Sequence, residues 1–472
     1  MTIFDSFKKY KNNVALISNL TGPVKYIEME KKSYAIGKII PKNSLVILFI
    51  DNSVPSIIFY TSLIKNNSVV MLLDQKMSKK DYLEIIESYK PNFIIAPSKY
   101  SKDLINVRSE NLNKYYDLNV WRTIFLKKKK MNKNLCLLLS TSGSMGSKKF
   151  VMLSKNNLKE NSLSIIKYLN LKSVDRAITN MPSSYSYMLS IINTHLEIGA
   201  SLFLTNNTIV QKDFWVDYSK NNVTSFNGVP YIYEILIKLG LNKIFTKSLK
   251  TLTQAGGKLD LDSSKIIINF CKSKKIKFFA MYGQTEASPR MTYLDWKFSE
   301  KKIGSIGKPI PGGKIILYDK KNRTIKNPNE IGELVYKGKN VSMGYSQNFK
   351  DLNLGDKNKQ KLKTGDLAFF DKDKFLFLVG RKKRIVKIFG TRFDLNEIEK
   401  KMEQNGLAVA CKGLDDKLGV YFIKKLKMDK VLNKLVEITG QNKIAFNLIA
   451  LNKFPRTFSG KINYTKLKNI HA

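Results

Sequence analysis

The sequence predicts an α/β protein with two or more domains, and three observations support this. Short apolar runs of strand length alternate with helical stretches from residue 44 onward, which is typical of a parallel sheet covered by helices on both faces. From Gly304 the pattern changes to glycine-punctuated strands, which predicts a smaller, antiparallel β subdomain. A chain of 472 residues is also too long for one ordinary core.

The first part of the chain alternates strands and helices in a regular order. The apolar pattern predicts strands over 44–50, 68–73 and 92–95, with helices over 54–65 and 78–89 between them. Ser78, followed three residues later by Asp81, forms an approximate capping box at the start of the second helix.

The alternation continues and then gives way to hairpins. Strands are predicted over 135–139, 176–179, 201–205, 224–226, 249–253, 277–282 and 332–336, and helices over 156–168, 188–198 and from Pro230 through Leu239. A turn at 371–374 joins the strands of a hairpin over 364–379. Asp394, with Glu397 three residues later, caps a helix over 394–404. The charged segment 381–384 marks a domain boundary between them.

The formal net charge of the chain is +44. Such an excess of positive charge admits a nucleic-acid or anionic-membrane partner. The lysines, however, are spread along the whole chain, and the one dense run, at 127–130, lacks the interleaved aromatic residues of a nucleic-acid-binding surface. The distribution therefore favours a compositional bias towards lysine, with an anionic ligand as its specific consequence, and disfavours a nucleic-acid partner.

Cysteine and histidine are too scarce for several kinds of site. Cys136, Cys271 and Cys411 show no metal-ligand spacing, and their odd number favours a reducing compartment over a disulfide framework. With only two histidines, neither a histidine metal site nor a Ser-His-Asp triad is well supplied. His195 is expected to pack within its helix rather than to bind a ligand.

The N-terminal residues 1–11 are mixed and charged, without the apolar core of a secretory signal. The longest apolar runs have strand length, well short of the ~20 residues of a membrane span. We therefore expect a cytoplasmic protein that has no membrane span.

The stretch 137–149 has the composition of a polyphosphate-binding loop. A buried strand is followed by small and hydroxylic residues, whose backbone N–H groups can face an anion, and then by two lysines. The common P-loop pattern Gly-x-x-x-x-Gly-Lys-Ser/Thr cannot be placed on Gly143, Gly146 and Lys149. Taken alone, the stretch is an equally good solvated turn.

Two further strand ends carry residues suited to a nucleotide. The strand over 249–253 runs into Gly256 and Gly257, a pair that allows close approach of a flat ligand or simply makes a tight turn. The next strand ends before Thr285, which can donate to a phosphate, and Glu286, which can hold Mg²⁺. Ligands of open α/β sheets gather at the carboxyl ends of the strands.

Several short stretches, taken together and in order, resemble one family. They are 141–149, Tyr282-Gly-Gln-Thr-Glu286, Thr364-Gly-Asp366, Gly380-Arg381, Lys387-Ile-Phe-Gly-Thr-Arg392 and Ser459-Gly-Lys461. The chain resembles the adenylate-forming enzymes (the ANL superfamily), which include acyl-CoA synthetases, luciferases and the adenylation domains of peptide synthetases. The resemblance runs from about Val46 to Lys466. A narrower resemblance, at 185–190 and 252–257, is to acyl-activating ligases of bacterial surface-polysaccharide clusters.

The family resemblance implies a domain plan. It implies a large N-terminal domain of stacked α/β subdomains plus a small β subdomain over 1–380. A hinge over 381–384 would follow, centred on Lys383, and then a small, mobile α+β C-terminal domain over 385–472. In this family the small domain swings after the first reaction step, which would bring Gly390 and Arg392 to an acceptor thiol.

The resemblance also assigns roles to single residues. ATP would be bound by Thr141, Ser142, Gly143, Ser144, Gly146, Lys149, Gly256, Gly257, Tyr282, Gly283, Gln284, Asp366 and Arg381. Of these, the residues up to Lys149 would hold the β- and γ-phosphates, Tyr282 would stack on adenine, and Asp366 would accept the ribose hydroxyls with help from Arg381. Thr285 would contact the α-phosphate, Glu286 would bind Mg²⁺, and Lys461 would be the main adenylation catalyst.

The acyl pocket implied by the resemblance is aromatic and mixed, which suits a small or medium acid. Its lining would be Tyr185, Tyr187, Asn227, Gly228, Val229 and Met281. Amino-acid-activating members carry an aspartate in the stretch equivalent to 185–187, and no acid is present here. We therefore expect a carboxylic acid without a free α-amine.

Two departures from the family pattern are visible in the sequence. The family loop usually has Thr and Pro where this chain has Met145 and Lys148. The segment 385–472 is shorter than usual for the family, so the resemblance does not determine which residues form the acceptor surface.

The resemblance predicts an ATP-dependent ligase that makes acyl-AMP and then an acyl thioester on CoA or on carrier-protein phosphopantetheine. One alternative is a ligase that passes the acyl group to an amine or hydroxyl. Another is a non-catalytic nucleotide-binding relative, which the joint presence of Glu286, Asp366 and Lys461 disfavours. A nucleic-acid-binding protein would rest on charge alone.

Overall fold

The computed structural model describes residues 3–106, 109–115, 117–125, 130–141, 149–381, 384–388, 391–414, 417–457 and 460–467. The chain forms two compact units. The N-terminal unit comprises Met1–Lys314 and Tyr336–Leu362, and the C-terminal unit comprises Ile315–Val335 and Lys363–Ala472. The C-terminal unit thus joins most of the predicted β subdomain to the segment after 384, and the predicted hinge at 381–384 remains a prediction.

The α-helices, in chain order, are α1 (Tyr26–Ile39), α2 (Val54–Lys65), α3 (Lys79–Tyr89), α4 (Ser101–Asn106), α5 (Lys155–Leu169), α6 (Ser186–Glu197), α7 (Lys212–Lys220), α8 (Pro230–Leu239), α9 (Leu241–Ile244), α10 (Leu261–Lys274), α11 (Leu395–Gln404) and α12 (Met428–Thr439). Among the described residues, no helix is both long enough and apolar enough to cross a bilayer.

The strands, in chain order, are β1 (Val14–Ser18), β2 (Gly22–Lys25), β3 (Leu45–Ile50), β4 (Val69–Asp74), β5 (Phe93–Pro97), β6 (Ser109–Tyr115), β7 (Leu118–Thr123), β8 (Leu135–Ser140), β9 (Phe150–Ser154), β10 (Arg176–Ile178), β11 (Ser201–Phe203), β12 (Ser225–Gly228), β13 (Thr251–Gln254), β14 (Lys277–Gly283), β15 (Arg290–Leu294), β16 (Lys308–Pro309), β17 (Lys314–Tyr318), β18 (Gly332–Lys337), β19 (Gly344–Ser346), β20 (Lys361–Phe370), β21 (Leu376–Arg381), β22 (Ile385–Ile388), β23 (Thr391–Asp394), β24 (Val409–Leu414), β25 (Lys417–Ile423) and β26 (Phe446–Leu451).

Two large sheets form the N-terminal unit. The first has the order β19-β9-β8-β4-β3-β5-β7-β6, and its centre, from β8 to β5, is parallel. The second has the order β16-β15-β14-β13-β12-β10-β11-β1-β2, and it is parallel from β14 to β1. Every residue of β3 is buried, as expected for a central parallel strand whose two faces are both covered.

Helices fill the space between the two sheets. Helix α2 contacts β3 and β4 of the first sheet and β1 of the second. All of its residues except Lys65 are buried, and every residue of α6 is buried as well. The sequence of α2 is largely apolar all round, which is the pattern of a helix enclosed by protein, whereas α6 is enclosed although it carries several polar residues.

The C-terminal unit is built from smaller sheets. Strands β17-β18-β20-β21 form a four-stranded sheet, β22 and β23 form a hairpin, and β24-β25-β26 form a three-stranded sheet. Helices α11 and α12 supply apolar residues to the core beside the three-stranded sheet, among them Ile398, Met402, Val431 and Leu435. Asp394 caps α11 as predicted, because its side chain accepts a hydrogen bond from the Asn396 N–H.

The sequence analysis missed the edges of both large sheets. The hairpin β1–β2 was not predicted, although β1 pairs in parallel with β11. The expectation of parallel sheets holds for the centres only, since β8–β9, β5–β7 and β14–β15 are antiparallel. Edge strands are short and polar in places, so their apolar periodicity is weak.

A partly buried ion pair stabilises the C-terminal unit. The Arg384 guanidinium donates to both carboxylate oxygens of Glu399, at 2.8 and 2.6 Å. Glu399 also accepts from the Tyr464 hydroxyl and from the Cys411 N–H. Burial opposes the charge on Arg384, but the hydrogen bonds and charge of Glu399 outweigh it, so the pKa of Arg384 is raised.

We expect Glu399→Gln to destabilise the full-length protein by about 3 kcal/mol, because a mostly buried guanidinium loses its only counter-charge in the network. Urea unfolding followed by fluorescence measures the change. Glu403→Gln, at an exposed position on the same helix, is the matched control and should change the free energy of unfolding by less than about 0.5 kcal/mol. Equal stability of both variants would contradict the importance of the pair.

Candidate active site

The carboxyl ends of β13 and β14 lie at the same edge of the second sheet, because these strands are parallel neighbours. Gly256 follows β13 with φ of +82°, a conformation that L side chains rarely adopt. A Cβ added there would lie 2.6 Å from the Tyr185 hydroxyl and 3.0 Å from Val229 Cγ1. The glycine therefore lets this turn approach Tyr185 and Val229, two residues of the predicted acyl pocket.

The motif after β14 is joined to the start of α6. Thr285 opens a short 3₁₀ turn, Thr285–Ala287, and is 8% exposed. Its Oγ1 lies 3.1 Å from Oγ of Ser186, the first residue of α6. Gly283 precedes it where a Cβ would lie 1.8 Å from the Pro289 carbonyl oxygen, so no side chain fits. The predicted α-phosphate residue and the predicted acyl-pocket helix thus meet.

A tyrosine that the sequence analysis missed links two predicted phosphate-site residues. Tyr345, in β19, donates its hydroxyl to Glu286 Oε1 at 2.7 Å. Lys149 Nζ lies 3.8 Å from the centroid of the Tyr345 ring. Burial, followed by the charge of Glu286 and its hydrogen bond, raises the pKa of Tyr345, which keeps the phenol protonated as a donor. Lys149, Tyr345 and Glu286 therefore form one cluster.

The residues present fit a magnesium ion that is held mainly by a nucleotide. Glu286 is half-buried, and its carboxylate has one oxygen oriented by Tyr345. In the part of the chain that the structure describes, no three His, Cys, Asp or Glu side chains group together as a metal site. Mg²⁺ is commonly bound by one or two carboxylates together with substrate phosphates and water, so a single carboxylate at a phosphate site suffices.

Asp366, Arg381 and Lys461, three of the predicted site residues, belong to the C-terminal unit and are described there. Asp366 in β20 is 5% exposed and accepts a hydrogen bond from Arg381 Nε at 2.9 Å, across the register of β20 with β21. Desolvation of the ammonium by surrounding protein atoms lowers the pKa of Lys461. The Arg381 charge lowers it further, whereas the Asp366 charge raises it. These charges therefore act on one another within this unit.

Other predicted residues fall outside the described part of the chain or are described only by their backbone. Ser142, Gly143, Ser144, Gly146, Lys383 and Gly390 lie outside the described residues. Arg392 lies in β23, paired with Lys387 of β22. Thr141 ends the segment before the predicted loop, directly after β8. Gly257 accepts a hydrogen bond from the Gln254 side chain, and Gln284 precedes the Thr285–Ala287 turn.

The predicted acyl-pocket residues divide between two neighbouring places. Tyr187, Asn227 and Met281 line a small cavity between α5, α6 and the second sheet. Tyr185 and Val229 lie instead around Gly256. The rings of Tyr185 and Tyr187 are 6.3 Å apart and nearly perpendicular, so these two places adjoin. Gly228 has no room for a side chain, since a Cβ would lie 2.8 Å from the Tyr233 ring.

Two further residues line the cavity. His195 is packed within α6 as predicted, with Nδ1 at 2.9 Å from the Ile191 carbonyl oxygen, and burial lowers its pKa. Arg290 is 3% exposed, and the sequence analysis did not single it out. Its position four residues after Glu286 was the available signal, because that short connection keeps it beside β14.

A family model described as AMP-binding enzyme matches residues 4–346. The chain is 27% identical to oxalate–CoA ligase of Saccharomyces cerevisiae over 351 residues, which are 70% of this chain and 62% of that protein. It is 24% identical to 2-succinylbenzoate–CoA ligase of Listeria monocytogenes over 456 residues, 93% of this chain and 91% of that protein.

Solved structures show the same fold. The o-succinylbenzoate CoA synthetase of Bacillus subtilis, in complex with its acyl-adenylate intermediate, has a TM-score of 0.77 at 19% identity, covering 100% of this chain and 99% of that chain. The same enzyme with ATP and magnesium gives 0.77 at 20% identity, covering 99% and 100%. The predicted α/β fold is confirmed, and the chain belongs to the AMP-binding, or adenylate-forming, enzyme family.

Proposed function

We propose that this protein activates a small or medium carboxylic acid with ATP and then transfers the acyl group to a thiol. The observation that carries the proposal is the contact between Ser186 and Thr285, 3.1 Å apart. It sets the helix of the acyl pocket against the residue assigned to the α-phosphate. Reactants held at such a junction need little further rearrangement to react.

In the first step, a carboxylate oxygen of the acid attacks the α-phosphorus of ATP, the bond to the β-phosphate oxygen breaks, and pyrophosphate leaves. Both reactants are anionic, so cationic groups and hydrogen-bond donors must offset their repulsion. Lys149 would face the β- and γ-phosphates, and the Thr285 hydroxyl would donate to the α-phosphate. Magnesium held by Glu286 would neutralise phosphate charge.

The C-terminal unit would complete the site. Asp366, oriented by Arg381, would accept the two ribose hydroxyls. Lys461 would bring its ammonium to the α-phosphate and the carboxylate. By the family resemblance, Lys383 would be the hinge about which the small domain rotates after adenylation. Gly390 and Arg392 would then face the acceptor.

Coenzyme A is the acceptor we propose, because the relatives described above are named as CoA ligases. Phosphopantetheine on a carrier protein offers the same thiol and is the alternative, followed by an amine or hydroxyl acceptor. The three cysteines are buried and free, which supports the proposed cytoplasmic location.

The direct test is acid-dependent release of pyrophosphate from Mg²⁺-ATP, with hydroxylamine as the acyl trap, over a panel that includes oxalate and 2-succinylbenzoate. Lys461→Ala should reduce the rate about 100-fold or more, because a group that stabilises the transition state is lost. The exposed Lys453→Ala is the control. Absence of ATP binding would contradict the nucleotide site, and an α-amino acid as best substrate would contradict the proposed acid class.

We expect Tyr345→Phe to raise the Mg²⁺ concentration for half-maximal pyrophosphate release about 10-fold, because Glu286 loses the hydrogen bond that orients it. Titration of Mg²⁺ at saturating ATP measures this. Tyr231→Phe, at an exposed position, should leave the requirement unchanged. An unchanged requirement in Tyr345→Phe would show that the hydroxyl does not serve the metal site.

The pH dependence of adenylation tests Lys461. Its ammonium is the active form, so activity is present below its pKa and is lost as pH rises through it. Because that pKa lies below the ordinary 10.5, the fall in activity at high pH, the alkaline limb of the pH profile, should have its midpoint below pH 10.5. Arg381 lowers this pKa, so Arg381→Gln should move the limb to higher pH at saturating ATP, whereas Arg122→Gln should not. A limb that moves to lower pH in Arg381→Gln would contradict the assignment.

A further inference from the structure

We propose that Arg290 binds a second carboxylate, located at the far end of the acid that this enzyme activates. This inference rests on the proposed function and names the class of its substrate: acids with two carboxylates, one that reacts with ATP and one that is recognised.

Arg290 is a buried cation for which the described residues supply no carboxylate partner. It is 3% exposed, and its Nε has no hydrogen-bond partner among the described residues. Its guanidinium carbon lies 4.0 Å from the centroid of the Tyr187 ring, and the Tyr168 phenol is a further neighbour. No carboxylate in the described part of the chain forms an ion pair with it. A desolvated guanidinium is costly unless an anion offsets its charge.

The backbone around Arg290 is held firmly. Its carbonyl oxygen accepts hydrogen bonds from Asn161 Nδ2 at 3.0 Å and from Asn340 Nδ2 at 2.8 Å. Both asparagines are nearly fully buried. A position fixed by two buried side chains presents its own side chain in a reproducible direction, which is what a binding group requires.

A second donor lines the same cavity. The Tyr187 hydroxyl lies 2.6 Å from Thr253 Oγ1, and Thr253 Oγ1 donates to Asn227 Oδ1 at 2.6 Å. These two hydrogen bonds orient the Asn227 side-chain amide, whose oxygen already accepts a hydrogen bond from Thr253. The Asn227 Nδ2 group is buried and has no partner among the described residues. Arg290 and Asn227 therefore contribute two unused donors to one cavity.

The chemistry of the cavity selects an oxyanion. Leu169, Ile191 and Met281 are among its apolar walls, and hydroxyl side chains and His195 line the remainder. In this lining Arg290 is the charged group that a charged guest can pair with. A carboxylate has the charge and the lone pairs to accept from both Arg290 and Asn227. A neutral amide offers no charge, and an ammonium would be repelled. Guanidinium also matches carboxylate geometry better than a lysine ammonium does.

The test compares dicarboxylates with their half-amides, which have nearly the same shape but lack the second charge. The panel runs from malonate to suberate and adds phthalate and terephthalate. In the pyrophosphate-release assay, the best diacid should exceed its half-amide in kcat/KM by about 30-fold or more, as expected for hydrogen bonds to a charged group. In Arg290→Gln the ratio should fall below about 3-fold, through loss of activity on the diacid alone.

Two controls separate recognition from folding. Arg290→Lys keeps a cation and should retain part of the preference, whereas loss of both substrates alike in Arg290→Gln and Arg290→Lys would show a merely structural role and overturn the proposal. Arg122→Gln, at an exposed position, should keep the full ratio. A native enzyme that treats every diacid and half-amide equally would also overturn it.

Equilibrium binding distinguishes failure of this proposal from failure of the proposed function. If no acid releases pyrophosphate, thermal-shift titration with the same pairs in the presence of ATP still compares the charged and neutral ligands. Tighter binding of a diacid than of its half-amide, lost in Arg290→Gln, would support the carboxylate site even without adenylation. Equal binding of both members throughout the panel would refute the site.

Discussion

The parallel pairing of β13 with β14 is the constraint on which the rest of the site depends. Parallel neighbouring strands end at the same sheet edge, so the Gly256 turn and the Thr285–Ala287 segment lie side by side. The turn approaches Tyr185 closely only because residue 256 has no Cβ. The start of α6 is thereby held at Thr285, and the backbone sets the place where acid and phosphate would meet.

The sequence was sufficient where one local signal decided the structure. Helix α2 begins and ends where it was predicted, because its apolar run is bounded by polar residues on both sides and carries a proline in its first turn. The ends of β13 and β14 were also predictable, since each apolar run stops at a glycine-containing motif. Strand β1 was not, because its parallel pairing partner β11 lies far along the chain.

The site residues that were missed share a different cause. Tyr345 reaches Glu286 because β19 pairs with β9. The sequences of these two strands contain no local pattern that predicts their pairing. Arg290 is polar within a strand that otherwise looks ordinary, and its burial follows from Asn161 and Asn340, which are distant in sequence. Long-range packing of this kind produces no periodic pattern in the sequence. The motifs could therefore be predicted, whereas the side chains that orient or complement them could not.

Arg384, which is partly buried, and Arg290, which is buried, have opposite electrostatic surroundings. Arg384 is matched by Glu399, so its charge is used for stability. Arg290 has no such partner among the described residues, and a guanidinium cannot escape the cost of burial by losing its proton. His195, in the same cavity, can do so, and burial lowers its pKa.

A neutral histidine and a charged arginine thus leave the cavity positive. The net charge of +44 attracts anions to the whole surface, but lysine enrichment does not place an arginine in a buried cavity. The positive charge at Arg290 is therefore a local property of the proposed acyl pocket, and it should influence which acids that pocket admits.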